Sequence, residues 1–246
     1  MNQMEKNRID LVMVTYNSRR VLPAFFQSLR AQTKSPFHLL IIDNNSTDGT
    51  KAYLLSLLKE PFSQKKIRPV FNPANVGLAK AWNQAVRLTS GRLILFLNPD
   101  LVLTKGCLSK LVKSAARHEK AMVVGAKILN PDGTIYHAGA TGKIRGRGKQ
   151  DRPGLYDREA KVHWVQGSCF LVKREVFQKV GGFDERFFVY GEEVDFCRRV
   201  RQAGYDVLYA PVPIYHYRQG SAITPKVRSQ LRRRSARLLK EKWKKK

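Results

Sequence analysis

Short apolar runs alternate along the chain with longer stretches in which apolar residues recur every three to four positions. Residues 9–14, 39–42, 66–71 and 92–97 predict strands, and 20–31, 47–58, 77–89 and 104–118 predict the helices between and after them. Runs this apolar are strands buried on both faces, and the βαβα order predicts a mostly parallel sheet flanked by helices. After 121–126 the pattern loosens. Residues 130–154 carry Gly139, Gly142, Gly146 and Gly148 among basic residues, which predicts a long mobile loop on the substrate side. Structure resumes with a strand over 162–172, a short helix over 174–180, the Gly181-Gly182 turn and a helix over 192–203 stopped by Gly204. A last strand over 206–210 leads to Ile214-Tyr215-His216.

In open parallel sheets ligands bind beyond the carboxyl ends of the strands. Here those ends read Thr15-Tyr16-Asn17, Asp43-Asn44-Asn45-Ser46, Asn72 and Asn98-Pro99-Asp100. Such residues also end strands because they favour turns and caps, and Ser46 or Thr47 suits the N-cap of the helix that follows. The chain lacks G-x-G-x-x-G after its first strand and lacks G-x-x-x-x-G-K-[ST] altogether, which argues against a dinucleotide oxidoreductase and a P-loop enzyme. Magnesium or manganese on a nucleotide diphosphate takes one or two protein carboxylates plus phosphate oxygens and water, and Asp100 suits that role.

A second constellation is acidic. Asp184 and Glu185 are followed by Glu192, Glu193 and Asp195, three carboxylates in the first turn of one helix, where the dipole stabilises negative charge. Transfer to a hydroxyl needs a base within hydrogen-bond reach, and this cluster supplies candidates. His216, between Tyr215 and Tyr217, suits either a metal ligand or a satisfied core histidine.

Composition adds a polyanionic partner: 46 Lys and Arg against 19 Asp and Glu give a net charge of +27. Residues 225–246 hold eleven of those cations and a single acid, Glu241, so 219–246 is expected to be a separate basic extension, helical, behind a domain over 1–218. As a helix it places Val227, Leu231 and Leu238 on one stripe and Arg233, Arg237, Lys240 and Lys244 on another, suited to an anionic membrane surface. No apolar run approaches the roughly 20 residues of a membrane span. The charged N-terminus, with Glu5, Lys6 and Arg8, does not read as a signal sequence. A cytoplasmic protein, peripheral on the inner face of the membrane, is the expectation. Cys107, Cys169 and Cys197 are scattered and read as core residues. The charge also suits an RNA- or DNA-binding module, but nucleic acid leaves the strand-end motifs and the acidic cluster unexplained.

V-T-Y-N at 14–17, I-D-N-N-S-T-D-G-T at 42–50, N-x-x-N-x-G-x-A-x-x-x-N at 72–83 and L-N-P-D at 97–100 closely resemble family 2 glycosyltransferases with a GT-A fold. Gly167-Ser168, G-G-F-D-E at 181–185, Y-G-E-E-V-D-F-C-R-R at 190–199 and His216 resemble the family's acceptor-side signature in order, so the likeness spans 9 to about 217. It implies an α/β GT-A nucleotide-diphospho-sugar transferase. Thr15, Tyr16, Asn17, Asp43 and Asn45 would hold base and ribose, and Asn75, Gly77, Lys80 and Asn98 would lie near sugar and diphosphate. Asp100 and His216 would bind Mg2+ or Mn2+. Gly167, Ser168, Phe183 and Asp184 would line the acceptor pocket. The catalytic candidates are Glu193 first, then Glu192 and Asp195, with glutamate at 193 where the family usually has aspartate. Asn98 stands where many relatives carry the first aspartate of D-x-D. The N-P-D form resembles the rhamnosyltransferase-like branch, which implies inverting transfer from a dTDP- or UDP-sugar to a glycan or lipid-linked saccharide in envelope synthesis. The departures at Asn98 and Glu193 leave a non-catalytic relative as the alternative.

Overall fold

The computed structural model describes residues 9–32, 36–63, 66–218 and 224–244. Strand β1 (Ile9–Thr15) is followed by helix α1 (Leu22–Arg30), β2 (Phe37–Asp43), α2 (Thr50–Leu57), β3 (Ile67–Phe71), α3 (Leu78–Leu88) and β4 (Leu93–Leu97). The chain continues through β5 (Leu101–Leu103), α4 (Cys107–Arg117), β6 (Ala121–Leu129), β7 (Ile135–His137), β8 (Ala160–Lys161) and β9 (Cys169–Lys173). It ends with α5 (Val176–Val180), α6 (Glu192–Gln202), β10 (Asp206–His216) and α7 (Pro225–Lys242).

Among the described residues the strands form one sheet in the order β3-β2-β1-β4-β9-β6-β10-β5, with β7 on β6 and β8 on β10. The first four pair in parallel, while β9 runs antiparallel to both β4 and β6 and joins the two halves. Side chains alternate across a strand, so the two faces of the sheet build two cores. On one, Leu11, Met13, Leu39 and Leu95 meet Phe25, Phe26 and Leu29 of α1, Leu54 of α2 and Leu108 of α4. On the other, Val12, Ile42, Phe96 and Phe170 meet Trp82 of α3 and Phe196 of α6, with Leu238 and Leu239 of α7 packed on the rim. Trp82 sits 5.1 Å from Phe96, 5.4 Å from Phe170 and 4.9 Å from Phe183 between ring centroids, an aromatic block that fixes α3 and α6 against the sheet.

The chain turns back at β1: β2 and β3 lie to one side of it and β4 to the other. That reversal opens a crevice at the carboxyl ends of β1 and β4.

Several expectations change. Residues 130–154 do not form an open loop. They contain β7, and Ile135 N–H donates to Lys149 O at 2.7 Å while Gly148 N–H returns a bond to Ile135 O at 2.8 Å. The Lys127 ammonium, 3 % exposed, ties the following stretch to the sheet through Asp151 and Asp157 at 2.9 Å each and the Leu155 carbonyl at 3.1 Å. Of the expected strand over 162–172 only the end is strand, β9, while 162–168 hold an isolated bridge from Trp164 to Ala140 and a turn; the expected strand over 206–210 runs on through a bulge to His216. Neither Ser46 nor Thr47 caps α2, whose N-cap is Gly49.

Helix α7 is not a detached device. It lies against α6 and the segment before it: Ser235 Oγ donates to Val189 O at 2.9 Å, and Trp243 Nε1 to Asp195 Oδ1 at 3.0 Å. Lys242 Nζ reaches Asp184 at 2.7 Å and Asp195 at 2.8 Å. Its inner stripe is Arg228, Leu231, Ser235, Leu238, Leu239 and Lys242, while Val227, expected on the apolar stripe, is 43 % exposed. Residues 219–223, 245 and 246 of the expected extension lie outside the described residues, as do 1–8, on which the signal-sequence reading rests. No described helix is long and apolar enough to cross a membrane. All three cysteines are buried and free.

Candidate active site

The parallel register sets Thr15 beside Asp43 and Asp43 beside Phe71. Asp43, 1 % exposed, accepts from Thr15 Oγ1 at 2.8 Å, Ser46 Oγ at 2.6 Å and Ser46 N–H at 3.0 Å, a set of donors that suits an ionised carboxylate. Asn17 N–H donates to Ser46 Oγ at 2.8 Å, and Asn17 Oδ1 accepts from Thr47 N–H at 2.7 Å. One layer out, Asn44 Nδ2 donates to Gly77 O at 3.3 Å and Asn44 Oδ1 accepts from Asn72 at 2.9 Å. Asn75 Oδ1 accepts from Gly77 N–H at 3.0 Å. These bonds shape one wall of a cleft lined by Tyr16, Asn44, Asn75, Gly77 and Asn98.

The opposite edge of the cleft comes from β10. His216 pairs with Leu101 in the antiparallel β5–β10 ladder, and Tyr217 N–H donates to Asp100 O at 3.0 Å. That register places His216 Nε2 3.1 Å from Asp100 Oδ1, with side chains 8 % and 5 % exposed. His216 Nδ1 has no hydrogen-bond partner among the described residues, a cost a buried ring nitrogen rarely bears. An imidazole and a carboxylate converging on one point of a polar cleft, with the Asn98 amide on the same wall, fit the protein side of a divalent-cation site completed by diphosphate oxygens and water. No cluster of three or more His, Cys, Asp or Glu side chains arranged for a metal occurs among the described residues.

The acid pair stands behind the cleft wall. Glu192 and Glu193 are 3 % and 9 % exposed, and Glu193 Oε2 accepts from Gly191 N–H at 3.1 Å. A Cβ on Gly167 would stand 3.4 Å from Glu193 Cβ and Cδ and 3.2 Å from Trp82, so the glutamate and the Trp82 ring pack closely on the glycine backbone. Gly167 and Gly191 each adjoin a cleft-lining residue, Gln166 and Tyr190. Burial raises the proton affinity of both acids, and the Glu193 charge raises that of Glu192 further. Two carboxylates so placed hold one negative charge more readily than two.

Six of the expected site residues line the cleft: Tyr16, Asn75, Gly77, Asn98, Asp100 and His216. Thr15, Asn17 and Asp43 brace it from behind. Lys80 and Asn45 are exposed away from it. Ser168 is buried behind the wall, its hydroxyl without a partner among the described residues. Phe183, expected in the acceptor pocket, is 3 % exposed within the aromatic block. Asp184, expected beside it, is held by Arg186 at 2.6 Å and by Lys242, which pull its pKa well below the usual carboxylate range. Asp195, expected to be catalytic, is fully buried among Arg199, Lys242 and Trp243 and anchors α7. Conversely, Tyr136, Gln166, Phe188, Arg218, Arg228 and Arg232 line the cleft without having been expected there. The spacing of Arg228 and Arg232, four residues apart in line with Leu231 and Ser235, is the signal the sequence offered for the tail.

The family model described as glycosyl transferase family 2 matches residues 10–181, and one described as the N-terminal domain of galactosyltransferase matches 156–220. The chain belongs to glycosyl transferase family 2. Its relatives place this glycosyltransferase in the rhamnosyltransferase-like branch. An N-acetylglucosaminyl-diphospho-decaprenol L-rhamnosyltransferase of Mycobacterium tuberculosis is 30 % identical over 87 % of this chain and 77 % of its own length. The O-antigen biosynthesis protein RfbC of Myxococcus xanthus is 32 % identical over 85 % of this chain, which spans only 17 % of that protein. Among solved structures, a mannosyltransferase from Pyrobaculum calidifontis in complex with GDP-Man and Mn2+ superposes with a TM-score of 0.67 at 17 % identity, over 90 % of this chain and 59 % of the other. GalNAc-T7 with UDP, GalNAc and Mn2+ superposes at 0.72 and 16 % identity, over 94 % and 47 %. The fold is GT-A.

Proposed function

We propose that this glycosyltransferase moves a sugar from a dTDP- or UDP-linked donor to a hydroxyl of a glycan or lipid-linked saccharide in cell-envelope polysaccharide synthesis, with inversion at the anomeric carbon. One observation carries the reading. The Asp100–His216 pair and the nucleotide-side strand ends share a cleft whose far wall, Gln166 and Tyr190, backs directly onto the buried Glu192–Glu193 pair. The rhamnosyl transfer carried out by the M. tuberculosis relative, onto a diphospho-decaprenol-linked sugar, supports a lipid-linked acceptor.

In this reading Tyr16 and Asn44, braced by Thr15, Asn17 and Asp43, receive base and ribose, and the Asn75–Gly77 turn faces the diphosphate. Mg2+ or Mn2+ held by Asp100 and His216 would supply charge neutralisation for the departing diphosphate. Glu193 accepts the proton of the acceptor hydroxyl as the new bond forms. Its raised proton affinity suits a base working near neutrality, and the Gly191 N–H fixes its direction. Glu193→Gln is expected to lower kcat by roughly 10²- to 10⁴-fold while the thermal shift produced by nucleoside diphosphate and Mn2+ is kept. Near-normal turnover would remove Glu193 from this role, and no shift with any nucleoside diphosphate would point to a non-catalytic relative.

We also propose that the outer face of α7, with Lys226, Arg233, Arg234, Arg237, Lys240 and Lys244 exposed, meets anionic lipid on the inner face of the membrane. Sedimentation with vesicles containing anionic lipid should be lost in Arg233→Gln/Arg234→Gln/Arg237→Gln; retained sedimentation would refute the contact.

A further inference from the structure

Helix α7 sends two of its arginines to the cleft, Arg228 half-buried and Arg232 exposed to solvent. Its register is locked at one end by Trp243 and Lys242 on Asp195 and in the middle by Ser235 on Val189 O. That register brings Arg228 and Arg232, one helical turn apart, to the wall of the cleft that also contains Asp100 and His216. Arg218, two residues past His216 at the end of β10, joins them. Arg232 lies 5.1 Å over the Tyr190 ring and Arg218 4.8 Å over the Tyr136 ring. A guanidinium carries its five N–H donors in one plane, the fork geometry that grips phosphate.

The local charge balance is uneven. Among the described residues Arg218 and Arg232 have no carboxylate partner, and the acids nearest the tail are committed elsewhere: Asp184 to Arg186 and Lys242, Asp195 to Arg199 and Lys242. Among the described residues Asp100 is the one carboxylate on the cleft lining, and it faces His216. Three guanidinia therefore share a concave surface with a single carboxylate, and a multiply charged anion is what such a surface takes.

We infer that Arg218, Arg228 and Arg232 form a diphosphate subsite, built in part by the C-terminal helix and separate from the Asp100–His216 pair. The inference rests on the glycosyltransferase reading, which offers two sources of this chemistry: the diphosphate of the nucleotide donor and the diphosphate of a lipid-linked acceptor. Because α7 carries two of the three cations, the helix completes the substrate cleft.

The test measures Kd for dTDP, UDP and farnesyl diphosphate by calorimetry, with full-length protein and Mn2+. Arg228→Gln/Arg232→Gln is compared with wild type and with Lys110→Gln/Lys113→Gln, which loses the same charge from α4 across the sheet. The tail variant is expected to weaken at least one of these ligands on the order of tenfold or more, since a charge-assisted bidentate contact is worth about that much. Selective loss of farnesyl diphosphate assigns the subsite to the acceptor, and selective loss of the nucleoside diphosphates assigns it to the donor. Arg228→Lys/Arg232→Lys, which keeps the charge and the helix, should fall between. Unchanged affinities, an equal loss in the α4 variant, or no binding of any diphosphate by wild type would overturn the subsite. Failure of the underlying reading shows separately, as absence of sugar transfer from any nucleotide sugar.

Discussion

At Gly77 the backbone φ is 85°, and a Cβ would stand 2.8 Å from both the ring and the carbonyl oxygen of Phe188. That carbonyl also accepts from Leu78 N–H at 2.6 Å, so the start of α3 is sewn to the cleft wall at this point. Gly77→Ala is expected to cost about 1–3 kcal/mol in denaturant unfolding and to weaken nucleoside diphosphate binding; an unchanged midpoint would show that the Phe188 segment yields. His137 makes a pH-dependent case. Burial, then the Arg147 charge, pushes its pKa down to about 3. A histidine depressed in the folded state contributes stability that is present above its unfolded pKa and is lost as pH falls toward the folded value. Between about pH 7 and about pH 5 wild type should lose about 2 kcal/mol through this residue, and His137→Asn, which can still accept from Gly139 N–H, should lose correspondingly less. At this scale the sequence was informative where backbone register aims the side chain. Thr15, Asp43, Asn98 and Asp100 follow strand ends, and parallel pairing brings strand ends together. It was uninformative where a distant partner decides direction: Phe183 is drawn inward by Trp82, and Asp195 is claimed by Trp243, forty-eight positions on.

Elements whose burial pattern is self-contained were legible from the chain alone. Strands β1, β2 and β4 are continuous apolar runs, and α3 and α4 carry an apolar stripe at helical spacing, so their positions follow from periodicity. The three-residue β5 was not, because it exists through its pairing with β10; for β9 a strand was expected, but its start at Cys169 and its antiparallel direction are set by long-range pairing with β4 and β6. Helix α7 was expected as a separate basic helix; its packing was not legible, since its inner stripe is mixed, with Arg228, Ser235 and Lys242 alongside leucines, and only the acids it meets make that stripe complementary. Lys242 tests the point. Its ammonium lies between Asp184 and Asp195, the latter fully buried, so Lys242→Met leaves two carboxylates short of a cation. Thermal or denaturant unfolding is expected to show a loss of about 2 kcal/mol, the scale of a charged hydrogen bond removed from a largely buried site. An autonomous extension would show no loss at all.

Across the whole molecule the charge is not confined to the tail. Residues 225–246 contribute +10 of the +27, which leaves +17 on the rest of the chain. A field of that sign, focused into a cleft walled by Arg218, Arg228 and Arg232, draws in polyanions before any specific contact forms. Screening separates this long-range attraction from the chemistry proposed for the buried acid pair. As ionic strength rises from about 0.01 M to about 0.15 M the screening length shrinks from about 30 Å to about 8 Å. The distance from bulk solvent to the cleft is then screened, whereas Glu193, the base proposed above, is 9 % exposed in surroundings that salt hardly enters. KM for an anionic nucleotide sugar is therefore expected to rise several-fold over that range, an effect of the size seen for electrostatically steered ligands, with kcat nearly constant. Arg228→Gln/Arg232→Gln should flatten the salt dependence of KM, and the outer-face variant Arg233→Gln/Arg234→Gln/Arg237→Gln should flatten it less, because those side chains point away from the entrance. If salt lowered kcat and left KM unchanged, the positive field would be acting on the bound complex, and the surplus charge would belong to the chemistry or to product release instead of capture.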